Sequence, residues 1–251
     1  MNKLSYAKRW SVCFRHQFLQ GSWNFERMQN GGWCYAIQPA LKELYPNQDD
    51  YQLAIQRHLA FYNTHPYVSA PIMGIILSLE ERKANGEEIS DQSIQDMKVG
   101  LMGPLAGVGD PVFWFTLRPI LAAVCAALAL AKNVWGPILF FLAWNIIRIV
   151  FLWSMQEMGY QKGVAFVDEL SDGFLKKVSL AASMLGMFVI GILVQRFVNM
   201  PIHVDIFPGL FGLILFFISS KALKKGMSPV LLIVVLFVIC VILCGLGIVV
   251  I

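Results

Sequence analysis

Hydrophobic and polar positions change their rhythm along this chain. Over residues 3 to 19, Trp10, Phe14 and Phe18 recur every fourth position while Lys3, Lys8, Arg9 and Arg15 occupy the other faces, which predicts an amphipathic helix lying at an interface. A second helical stripe, Phe25, Met28, Trp33, Ile37, Leu41 and Leu44, covers residues 22 to 44, with bends expected at Gly31-Gly32 and Pro39. Asp50 can cap a helix through Tyr62 that ends at Asn63-Thr64-His65-Pro66. Val68 to Arg82 then reads as helical until Asn85-Gly86, and Ser90 or Asp91 starts the next helix. No stretch of any length alternates with period two, so the expected fold class is all-α.

Beyond residue 100 the pattern becomes apolar runs. Pro229 to Ile251 holds 23 residues without Asp, Glu, Lys or Arg, and a rise of about 1.5 Å per residue makes it long enough for a bilayer core of about 30 Å. Val178 to Gln195 is a second span candidate. Trp135 to Trp153 is a third, interrupted by Arg148, whose guanidinium must face protein or water. Pro119 to Ala131 and Phe207 to Ser219, about 13 residues each, are shorter than a simple span, so half-helices or re-entrant segments are expected there as much as tilted spans. The chain thus reads as a polytopic integral membrane protein, with interfacial helices over 1–100 and a membrane region over 101–251 that form one structural unit.

Composition sharpens this division. The chain is 57% hydrophobic and 14% charged, outside the range of soluble domains. Residues 1–100 contain 10 basic and 10 acidic side chains, residues 101–251 contain 10 and 6, so the net charge of +4 falls in the apolar part. There it serves orientation: the basic turn Lys221, Lys224 and Lys225 belongs in the cytoplasm and the loop Asn199 to Asp205 outside, with Lys162, Lys176 and Lys177 on the inner side. No basic run with interleaved aromatics suggests nucleic acid. Lys3, Lys8, Arg9 and Arg15 break up any secretory signal core. Cys13, Cys34, Cys125, Cys240 and Cys244 form no CxxC pair and read as reduced packing residues.

Three clusters could carry chemistry. Gly100 to Pro111, with Gly103, Gly107 and Gly109, reads as a turn through which backbone approaches a ligand, or as a helix packing point; no Lys-Ser/Thr follows, so it is not a phosphate-binding loop of the Walker type. Asp110 within it is costly at membrane depth, and Arg118 is the candidate to neutralise it. Gln20 to Gly32 mixes Asn24, Glu26, Arg27, Gln29 and Asn30 with aromatics, a set suited to a polyol whose hydroxyls need paired donors and acceptors, or to a solvated helix. Asn63, His65 and Pro66 form the third cluster. His16, His58 and His203 have no metal-site spacing, and no nucleophile-base pair, carboxylate pair or cofactor motif emerges, so no catalytic residue, metal or cofactor is expected.

Gly21 to Gln29 (Gly-Ser-Trp-Asn-Phe-Glu-Arg-Met-Gln), the turn Phe61 to Pro66, and Lys98 to Pro111 resemble, in order, the IID membrane subunit of mannose-family sugar phosphotransferase systems. The similarity runs from about residue 8 to the C-terminus, although Met200 to Pro208 is shorter than the polar insertion many members carry there. The resemblance implies a multi-pass protein of the bacterial inner membrane, paired with a IIC subunit, the pairs forming a trimer. It implies that IIA and IIB carriers relay phosphate through histidines of their own, and that IIB phosphorylates the sugar on arrival. It also implies an elevator-like motion of a core domain. The expected function is therefore the IID translocation subunit of a phosphoenolpyruvate-dependent sugar importer, not an enzyme by itself. The alternative is a scaffold that stabilises IIC and docks IIB without touching sugar.

Overall fold

The computed structural model describes residues 3–171, 177, 180–181, 184–188 and 208–245. The described residues are helical, with no strands beyond isolated bridges pairing Asn24 with Met28 and Met28 with Tyr62. The Val178 to Gln195 span and the Asn199 to Asp205 loop lie largely or wholly outside them, as does the short Met200 to Pro208 segment up to residue 207.

Compact packing divides the chain at Gly191. Within the first unit, α1 (Tyr6–His16) is capped by Ser5 and buries Val12, Cys13 and His16 while exposing Tyr6, Trp10 and Phe14, as its stripe predicts. Arg9 fastens it to α7 (Trp135–Lys162): the guanidinium donates to both Glu157 oxygens at 3.0 Å, and Trp10 packs edge-on against Trp153. The second helix, α2 (Asn30–Leu44), starts eight residues later than its stripe, because residues 22–29 are spent on turns. Helix α3 (Gln48–His58) is capped by Asn47 rather than Asp50.

Helix α4 (Ser69–Ala84) is the centre of the unit, buried nearly throughout. It crosses α7 so closely that a Cβ on Gly159 would lie 2.5 Å from the Pro71 carbonyl oxygen. One hydrophobic cluster runs from Leu4 through Trp33, Ile37, Ile72 and Ile76 to Leu105 and Phe166, so residues on both sides of position 100 share a core. Beneath it, the buried Glu80 carboxylate accepts from Arg57 Nε at 2.8 Å, His58 Nε2 at 2.9 Å and Tyr45 at 2.8 Å. Trp33 Nε1, which can only donate, reaches His58 Nδ1 at 3.2 Å, so the proton of a neutral His58 sits on Nε2 and points at Glu80.

Helix α5 (Asp91–Gly109), capped by Ser90, runs without a break through a π-helical segment (Asp110–Leu117) into α6 (Arg118–Leu130). The glycine cluster is therefore helical, as the packing reading has it and not the turn, because Leu101, Met102 and Leu105 bury one face against the core and tertiary packing overrides propensity. Nor is Pro119 to Ala131 an isolated half-helix: it ends a helical stretch of 40 residues, Asp91–Leu130, which with Trp135–Lys162 is long and apolar enough to cross a membrane. Arg148, inside α7, donates to Gln17 Oε1 at 2.9 Å and Asn145 Oδ1 at 2.8 Å, so it faces protein as expected. Helix α8 (Ala165–Ser171) follows the Gly163 turn.

The second unit is described as a hairpin of α9 (Pro208–Lys224) and α10 (Pro229–Gly245). Gly226, at φ +89°, reverses the chain, and the Leu231 N–H donates to Ser228 Oγ at 3.1 Å to cap α10. Residues 229–245 of the long uncharged run are thus helical, and 246–251 lie outside the described set.

Candidate functional site

The three polar clusters meet in space. Asn24 and Met28 exchange backbone hydrogen bonds of 3.1 and 3.0 Å, closing a tight loop that requires Met28 at φ +55°. The Asn24 side chain holds that loop, accepting from the Arg27 N–H at 2.7 Å and donating to Asn30 Oδ1 at 3.0 Å. Asn30 donates to the Leu59 carbonyl at 2.7 Å, which ties the start of α2 to the end of α3.

Gln29 is buried and reaches the Phe61–Pro66 turn, where its amide donates to the Thr64 carbonyl and accepts from the Thr64 N–H. The Thr64 hydroxyl donates to the Met102 carbonyl at 2.8 Å, and the Asn63 N–H to the Met102 sulfur at 3.1 Å, linking the turn to α5. His65 follows, buried, stacked on Phe113 with ring centroids 5.2 Å apart and flanked by Trp114 at 5.1 Å. Gly109 is required at this contact: a Cβ there would lie 2.7 Å from both His65 Cβ and Val68 Cγ2.

These segments enclose a cleft of about 250 Å³ whose lining includes Gln20, Trp23, Gln29, Asn63, His65, Asp110 and Trp114. Burial pushes His65 down to about 4, so its ring is neutral near pH 7. Its Nδ1 accepts from the Tyr67 N–H at 3.3 Å, which places the proton on Nε2, a buried donor with no partner among the described residues. A donor of that kind, an ionisable Asp110 and two indole rings suit a ligand carrying both hydroxyls and an apolar ring face.

Of the residues singled out in the sequence, Gln29, Asn63, His65 and Asp110 line the cleft. Asn24 and Asn30 support it from behind, and Gly109 packs beneath His65. Glu26 and Arg27 pair with one another at 3.3 Å on the exposed surface, away from the lining, solvated as the alternative has it but in a turn rather than a helix. Gly107 lies on the exposed side of α5, where a Cβ would meet nothing within 4 Å. The expected Asp110–Arg118 ion pair does not form among the described residues; the Arg118 guanidinium instead lies 4.9 Å from the Trp114 ring centroid and 6.0 Å from that of Trp144. Trp114 and Thr64 went unnoticed as individual candidates. The signal for Trp114 was its spacing of one turn from Asp110, hidden by the apolar run around it.

Helical membrane architecture with a polar cleft at the junction of surface helices and a membrane-capable helix defines a membrane transport subunit. The chain belongs to the IID components of the mannose/fructose/sorbose family of sugar phosphotransferase systems, whose family model matches residues 3–249. It is 44% identical over 260 residues to the mannose-specific EIID component of Escherichia coli K12, covering 94% of this chain and 92% of that one. The fructose permease IID component of Bacillus subtilis is 41% identical over 259 residues, with 94% of each chain covered. Among solved structures, a chain of the cryo-EM complex of mannose transporter ManYZ with microcin E492 superposes with a TM-score of 0.64 at 41% identity, covering 98% of both chains.

Proposed function

We propose that this chain and a IIC partner import a hexose or hexose derivative across the bacterial inner membrane, as a multi-pass protein assembled in a trimer of IIC–IID pairs. IIA and IIB carriers supply the phosphate, and IIB phosphorylates the sugar on the cytoplasmic side. The family match along residues 3–249 carries this reading, and the cleft agrees with it.

In this reading the chain recognises rather than catalyses. His65 Nε2 donates to a sugar hydroxyl, Asp110 and Asn63 supply further polar contacts, and Trp23 or Trp114 covers the apolar ring face. Gln29, Asn24 and Asn30 hold the turn that carries His65. Phosphorylation then traps the sugar, because a dianionic product is costly to return through an apolar path.

The test is phosphoenolpyruvate-dependent uptake by membranes bearing His65→Ala or Asp110→Asn with normal subunit assembly. Uptake should fall at least about tenfold, the value of one to two lost hydrogen bonds to a buried polar ligand group; full activity in both variants rejects the site. The scaffold reading is favoured by one observation, that Asn24, Gln29 and Asn30 spend their side chains on contacts within the chain. It predicts that a photoreactive sugar labels only the partner, whereas the carrier reading predicts labelling near Trp114.

A further inference from the structure

The hairpin of α9 and α10 presents a second concave surface, built independently of the sugar cleft. A cavity of about 520 Å³ opens at its turn, lined by Ile218, Lys221, Lys225, Met227 and Leu231. Lys221 and Lys225 are one helical turn apart and share a side of the helix, with Lys224 adjacent. No Asp or Glu occurs anywhere in residues 206–251, and among the described residues none of these lysines forms an ion pair. The positive end of the α10 dipole at Pro229 and the negative end of the α9 dipole at Lys224 meet at this turn and offset one another, so its charge is that of the lysines.

Next to this positive charge the wall is apolar and open, with Ile218 59% and Leu231 52% exposed. The surface thus joins cations that have no ion-pair partner among the described residues to exposed aliphatic groups at the end of an apolar hairpin. A free inorganic phosphate would satisfy only the lysines. An amphiphile with a phosphate head and hydrocarbon tails satisfies both parts, and the basic turn is the one that the charge distribution orients toward the cytoplasmic leaflet, where anionic lipid attracts Lys.

We propose that this turn binds an anionic phospholipid, the headgroup phosphate bridging Lys221 and Lys225 and an acyl chain lying along Ile218 and Leu231. Each lysine contributes by charge, so the site tells phosphatidylglycerol from a zwitterionic lipid without contacting the rest of the headgroup. The occupied turn is thereby fixed at the depth of the phosphate layer.

The experiment is native mass spectrometry of the full chain in its purified membrane complex, titrated with phosphatidylglycerol or phosphatidylcholine. The wild type should retain phosphatidylglycerol at least tenfold more strongly, and Lys221→Gln with Lys225→Gln should reduce that retention on the order of tenfold without altering phosphatidylcholine binding. Lys221→Arg with Lys225→Arg should preserve it, which separates loss of charge from loss of fold, and Lys132→Gln should leave it unchanged. Equal retention of the two lipids by the wild type, unchanged phosphatidylglycerol binding in the double glutamine variant, or displacement by inorganic phosphate in preference to lipid would overturn the proposal.

Discussion

Gln29 and Thr64 hold one another through two hydrogen bonds: the Gln29 amide nitrogen donates to the Thr64 carbonyl at 2.8 Å, and the Thr64 N–H donates to the Gln29 side-chain oxygen at 3.1 Å. The pair joins the start of α2 to the turn that presents His65, and both residues are buried. Gln29→Leu leaves a buried carbonyl and N–H unsatisfied, at a cost of about 1–3 kcal/mol each. Thermal denaturation of the purified complex should show the loss, and uptake should fall with it. Gln29→Glu should be intermediate, since a carboxylate can accept from Thr64 but cannot donate.

The closeness of α4 and α7 sets a steric prediction. A Cβ on Gly74 would overlap the Gln156 carbonyl oxygen and sit 2.7 Å from the Tyr160 nitrogen, so Gly74→Ala has to force two backbones apart. The expected cost is about 3 kcal/mol or more, the upper range for overpacking. The yield of folded protein in membranes should collapse. Gly100→Ala meets nothing within 4 Å, and replacing a glycine inside a helix should instead stabilise by about 0.5–1 kcal/mol.

Acid sensitivity follows from the core network. Burial disfavours the Glu80 carboxylate, but hydrogen bonds from Arg57 and His58 outweigh it and hold the group at about 2, below its ordinary 4.5. Its stabilisation, about 3 kcal/mol from that difference, is fully present above the ordinary value and is lost as pH falls from about 5 toward 2. His16 acts in the same direction, since burial lowers it to about 3 and the unfolded chain binds its proton first. Circular dichroism against pH should therefore show an acid-side decline that Glu80→Gln flattens. The same variant should be destabilised at neutral pH by about 3 kcal/mol, because Arg57 then loses its buried partner and keeps only the exposed Asp91 carboxylate at 3.4 Å.

For His65, a neutral ring means that uptake should not titrate with it between about pH 8 and 5, since burial keeps its protonation near 4. A step in the uptake profile near pH 6.5 that disappears in His65→Gln would show that the ring is charged in the working complex.

The sequence made some of these relationships legible. The stops at Asn85-Gly86 and the start at Ser90 are local events: Gly86 adopts φ +94° and the Ser90 side chain accepts from the Ser93 N–H. Trp10 and Phe14 mark the exposed face of α1, and Phe18 continues it into the turn that follows. Residues 100–111 stay open between turn and packed helix in the sequence because glycine and proline argue locally against a helix, whereas the burial of Leu101, Met102 and Leu105 depends on partners distant in sequence. Arg118 was paired with Asp110 on charge alone. Its position over Trp114 and Trp144 depends on the π-helical segment, which no periodicity announces. The motifs located the cleft but could not say that Glu26 and Arg27 face away from it.

The uninterrupted stretch from Asp91 to Leu130 has a contour of about 60 Å at the helical rise, twice the thickness of a bilayer core. It must overhang. The part bearing Asp91, Asp96 and Lys98 packs among the surface helices, and Ala106, Asp110 and Trp114 follow it near the middle of the stretch. One continuous helix thus joins the polar surface helices to the apolar segment, and lengthening or shortening α5 by one turn before Ala106 would move the cleft residues about 5 Å along it without changing any of them.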